Sequence, residues 1–219
     1  MSIQQEIKSQ LAKLLATEDL IVEHKQVETA SFNVETRVLV LPLWEKASSE
    51  VYDMLVAHEV GHALFTPCED WIDRYPEIPP SFVNIVEDAR IEKLMKRKYA
   101  GLPKTFFTGY KELQGMDFFK LSDIDVNKMG IADRINLYFK VGNFIDIDFN
   151  DYEKTLVSMV KSAESFDDVL EYSKVIWEYA KEELEEKKKE QEKIEEMKAK
   201  AEMEDGDGDN EKEYQTTTQ

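Results

Sequence analysis

The feature that most constrains this chain is the run VYDMLVAHEVGHALF over residues 51–65. Leu55, Val56, Ala63, Leu64 and Phe65 surround its polar members, which predicts a mostly buried helix from about Glu50 to Phe65. Ser48 or Ser49 suits its N-cap, and Pro67 lies just past its end. Inside that helix sit His58, Glu59 and His62. Burying three ionisable groups so close together is costly unless something binds them. Positions i and i+4 share a helix face, so His58 and His62 can aim both imidazoles at one ion, with Glu59 one step round beside it. A glutamate there can take a proton from an activated water and pass it to a leaving amine. The pattern therefore points to Zn2+ held by His58 and His62, with Glu59 as general base.

A catalytic zinc needs three protein ligands and one open position. The chain has only three histidines, so the third ligand is His24 or another residue type. A metzincin extension would place a histidine six residues after His62; Cys68 stands there, and Phe65 replaces the preceding glycine. A second helix, expected from about Phe82 to Tyr99 with Ser81 as N-cap, offers carboxylates instead. Glu87 falls in a stripe with Val83, Ile91 and Leu94, whereas Asp88 aligns with Asn84 and Glu92 on a more polar flank. An inward carboxylate without a cation is improbable, so Glu87 is the expected third ligand, with a buried salt bridge to an arginine as the alternative. Cys68 is expected simply to pack.

The rest of the chain reads as one domain over residues 1–180, a charged helical extension over 181–203 and a disordered acidic tail over 204–219. An amphipathic helix is expected over 3–16, and short strands around 21–25, 28–33 and 36–42. Weaker helices follow near 104–113, 131–142 and 151–163, and a longer one starts at Asp167 or Asp168. Strand 36–42 is a candidate edge strand for an extended peptide, although a plain sheet strand explains its composition as well. The DGDGDN stretch fails as a calcium loop, because Asn210 replaces the sixth-position glycine and Thr216 stands where the bidentate glutamate belongs.

The formal charge of −18 is spread widely. Fifteen acidic and eight basic side chains between Lys181 and Glu213 account for −7, leaving −11 elsewhere. Such a surface repels phosphate backbones, so no nucleic acid partner is expected. No apolar run reaches membrane-spanning length, no secretory leader is evident, and the single cysteine suits a reducing compartment.

HEVGHALFTP followed by NIVEDARIEKLMKRKYAGL resembles the metallopeptidase-like region of cobaltochelatase T-subunit-like proteins and of related phage peptidases, over about residues 28–115. The two motifs together are far more specific than either alone. The resemblance implies an α+β, mainly helical, gluzincin-like zincin domain with a small N-terminal sheet, an HExxH helix and a glutamate helix. It maps His58, His62 and Glu87 onto zinc ligands and Glu59 onto the catalytic acid/base. It also implies a cytoplasmic enzyme acting on an intracellular protein or peptide, in the bacterial host cytoplasm if phage-encoded. Members of that family are commonly joined to a von Willebrand factor A domain or work with an AAA+ ATPase. A docking module with a zincin fold and no turnover is therefore the alternative. Thermolysin-like gluzincins usually carry an aspartate four residues after the ligand glutamate; here Ile91 stands there, which leaves Asn84 or Asp88 to support a metal-bound histidine. No D-x-S-x-S signature of a von Willebrand factor A domain is present. Arg90, Tyr110 and His24 are candidates for stabilising the transition state, and the sequence does not choose among them.

Overall fold

The structure is a computed structural model that describes residues 2–205, with side chains followed to residue 198. The elements are α1 (Ile3–Ala16), β1 (Ile21–Lys25), β2 (Ser31–Asn33), β3 (Val38–Pro42), α2 (Ser49–Phe65), α3 (Pro80–Lys98), α4 (Leu102–Gly115), α5 (Ile131–Val141), α6 (Asp151–Ser162) and α7 (Phe166–Asp205). The class is α+β and mainly helical, as expected. Two compact units divide between Trp177 and Glu178, close to the boundary read from the sequence. In the second unit α7 continues as a charged helix to Asp205, so residues 204–205 of the expected tail are helical. The remainder of that tail, 206–219, lies outside the described residues.

In the first unit, α2 is the element around which the others assemble. Val51, Val56, Ala57 and Val60 are wholly buried on different sides of it, which matches its lack of a polar face. Its N-terminus is held by Ser48, whose side chain accepts from the Val51 amide, while Glu112 on α4 accepts from Ser48. Its C-terminal carbonyls are met by two arginines: Arg37 donates to Ala63 O and Arg90 to Phe65 O, each at 2.8 Å.

The sheet has the order β1-β3-β2, with β1 parallel and β2 antiparallel to β3. The strand expected at an edge, residues 36–42, is therefore central. Leu39 and Leu41 carry its buried face, and the true edges are β1 and β2. The second helix starts at Pro80 rather than after Ser81, because proline at the first helical position presets φ and has no N–H to satisfy.

The helices around α2 come very close. A Cβ placed on Gly109 of α4 would sit 2.7 Å from Met54 Cβ on α2, and one on Gly61 of α2 would sit 2.7 Å from Ile91 Cδ1 on α3. The contact at Gly109 meets the base of a side chain, so it cannot be relieved by a rotamer change alone. Gly109→Ala should therefore cost about 1–3 kcal/mol by urea denaturation.

Candidate metal centre

His58 and His62 lie one turn apart on α2, facing α3, with ring centroids 5.2 Å apart. The carboxylate that faces them is Asp88, not Glu87. Asp88 Oδ1 lies 3.5 Å from His58 Nε2 and 3.3 Å from His62 Nε2. These three residues are the one cluster among the described residues whose donor atoms all fall within 4.8 Å of one another. The helix face expected to point inward is indeed buried, with Glu87 only 3% exposed. Its carboxylate, however, is taken by Arg90, whose Nε and Nη2 donate at 2.7 Å to Oε2 and Oε1. The face that meets the histidines is the next one round, Asn84–Asp88–Glu92, which the sequence presented as the more polar flank.

This one-residue shift also accounts for the apparent departure at Ile91. Counting from Asp88, the residue four positions on is Glu92, and its Oε1 lies 3.0 Å from His58 Nδ1. Glu92 is buried and also accepts from Lys96 at 2.9 Å and from the Tyr110 hydroxyl. Burial opposes its charge, but His58 and Lys96 outweigh that and hold its carboxyl below the usual range. Since Glu92 only accepts, His58 Nδ1 carries the proton of that bond and Nε2 is directed at Asp88.

His62 is oriented by a longer relay. Its Nδ1 lies 2.9 Å from Thr66 Oγ1, and the Thr66 hydroxyl donates to Glu87 Oε1. With that proton committed, Thr66 can only accept from His62, so His62 also carries its proton on Nδ1. Glu87 thus supports the site through Thr66. Both imidazoles present Nε2 to the same carboxylate oxygen, as two ligands of one ion would.

Glu59 is 7% exposed, and among the described residues no side-chain hydrogen bond or ion pair engages it. Burial raises its carboxyl pKa, and His58 and His62 oppose that. Lys140 on α5 is the residue that sequence reasoning missed: its Nζ donates to Asp88 Oδ2 at 2.9 Å. Nothing local marks it, because α5 is an ordinary amphipathic helix and only its packing against α3 brings Lys140 here. Tyr110 is committed to Glu92 and Arg90 to Glu87, Phe65 O and Glu164 O, so both serve as supports. Asn84 lines the cleft beside Asp88. His24 lies elsewhere, near Ser9 in a pocket beneath α1, and Cys68 is exposed.

The three clustered residues and Glu59 open into a cleft of about 590 Å³ whose walls include Phe32, Trp71, Phe118 and Lys140. Residues 29–32, leading into and along edge strand β2, border it. Among the described residues no helix is long and apolar enough to cross a membrane. Searches against protein-family models, curated proteins and solved structures found no match.

Two outcomes follow from this geometry. Asp88→Asn should weaken zinc binding by about 100-fold or more, measured by competition with a chromogenic chelator, and should also cost stability because it strands Lys140. Glu87→Gln should weaken zinc binding less, by about 10-fold through the Thr66 relay to His62, while the loss of the Arg90 ion pair costs about 3–5 kcal/mol of stability. The second concerns protons. Burial lowers the His58 pKa, but Asp88, Glu92 and Glu59 outweigh it and push it up to about 10. A chelator-treated sample is therefore protonated there at pH 7, and an ion needing the Nε2 lone pair must displace that proton. Calorimetry in buffers of different ionisation enthalpy should show about one proton released per ion bound.

Proposed function

We propose that this chain is a zinc-dependent metallopeptidase of the zincin type, hydrolysing peptide bonds of an intracellular protein or peptide with Glu59 as general base. The observation that carries the reading is the convergence of His58 Nε2, His62 Nε2 and Asp88 Oδ1 beside a buried Glu59 that has no ion-pair or hydrogen-bond partner among the described residues. Two imidazoles with protonated Nδ1 atoms and one carboxylate suit zinc by donor type, and all three line the cleft, so a substrate can reach them. When bound, zinc would polarise the scissile carbonyl and acidify a water. A scaffold site would have no use for Glu59, whose raised pKa suits a group that takes up a proton and returns it. The free edge of β2 can pair with an extended peptide backbone while Phe32, Trp71 and Phe118 receive its side chains. The order sheet, HExxH helix, carboxylate helix is consistent with a zincin, with aspartate in place of glutamate as the third ligand.

A docking module that binds zinc without turnover is the second reading. It is favoured by the charged helix from Glu178 onward, which forms a compact unit of its own. On that reading the partner is an AAA+ ATPase or a von Willebrand factor A domain. Glu59→Gln separates the two. The enzyme reading expects about one zinc per chain in both proteins and a fall of about 10²–10⁴-fold in cleavage of a quenched fluorescent peptide library. A wild type that holds zinc yet cleaves no faster than the variant would establish the docking module instead.

A further inference from the structure

The two oxygens of Asp88 have separate duties. Oδ1 faces both imidazoles, at 3.5 and 3.3 Å, while Oδ2 accepts from Lys140 Nζ at 2.9 Å. Lys140 reaches across from α5, and its side chain is only 20% exposed. Among the described residues Asp88 is its one hydrogen-bond and ion-pair partner. A lysine so enclosed is uncommon unless paired. With Oδ1 turned to both imidazoles, Oδ2 is the oxygen open to Lys140, and the two oxygens of one carboxylate end up with different partners.

We propose that Lys140 is a positioning residue for the metal centre: it occupies Asp88 Oδ2 so that Asp88 offers an ion Oδ1 alone. The inference rests on the metal-binding reading above. A carboxylate with both oxygens free can close on a cation with both, filling an extra coordination position and donating more negative charge. An ammonium on Oδ2 opposes this. It keeps a position clear for water and substrate, and it draws electron density from the ligand. With both imidazoles neutral, the charges of Asp88 and Lys140 cancel. The ion would therefore keep more of its polarising power than it would beside a carboxylate bound through both oxygens, which serves hydrolysis more than mere retention of the metal.

The test uses Co2+ in place of zinc, read by its visible d–d absorption, which weakens as coordination number rises. Lys140→Met and Lys140→Gln should each lose about half or more of the wild-type intensity as the second oxygen closes on the ion, and Lys140→Arg should restore it. Met and Gln variants that fold, load cobalt and keep the wild-type spectrum would overturn the role of Lys140. The wild type supplies an arm that needs no variant. The 1H–15N signal of the Lys140 ammonium should stay in slow exchange after zinc is added, and its loss would show that the ion displaces Lys140. A wild type that takes up neither cobalt nor zinc would sink the metal reading itself, a result distinct from either failure of Lys140.

Discussion

Helix α2 is enclosed on nearly every side, and it carries two imidazoles and a carboxylate into that enclosure. Each imidazole has two nitrogens, and a buried ring with an unpaired N–H is costly, so the neighbours of α2 are obliged to answer them. Glu92 answers His58 directly, and Thr66 answers His62 with Glu87 and Arg90 behind it. Once both Nδ1 atoms are engaged, both Nε2 atoms point the same way. Asp88 then closes the cluster, and Lys140 holds Asp88. The packing of α3 and α4 on α2, and of α5 on α3, is thus tied to the orientation of two rings.

The buried carboxylates divide by partner. Glu87 is matched by Arg90, Glu92 by Lys96 and His58, and Asp88 by Lys140, while Glu59 has no hydrogen-bond or ion-pair partner among the described residues. Glu87 and Glu92, which face arginine, lysine and histidine partners rather than the cleft, are structural in the ordinary sense, since removing one member strands the other. A carboxylate left at the edge of a cleft with a raised pKa is a poor structural choice and a good proton carrier. That contrast is what favours an enzyme over a scaffold with a metal in it.

The neighbouring register of α3 is instructive. The apolar stripe of Val83, Ile91 and Leu94 correctly marked Glu87 as inward, but inward and metal-facing are different directions on this helix. α3 meets α2 with its Asn84–Asp88–Glu92 line and meets the segment after α2 with Glu87. The usable signal was the spacing of four between Asp88 and Glu92, of which Glu92 is buried although its line runs out to the exposed Asn84. The alternative of a Glu87–arginine pair, already weighed from the sequence, is the arrangement the structure contains.

What the sequence by itself determined is whatever depends on local geometry. The HEVGH spacing puts two imidazoles on one face, the unbroken apolar flanks bury that helix, and the periodicity of the remaining helices sets their approximate bounds. These follow from backbone repeats of 3.6 and 2 residues, which act over a few positions. Only the tertiary structure decided which carboxylate completes the cluster, that β3 is central and β2 the edge bordering the cleft, and that Lys140 belongs to the site. Each of these turns on how one element is rotated and seated against another. On a helix one residue is a rotation of about 100°, so a shift too small for periodicity to resolve exchanges one ligand for its neighbour.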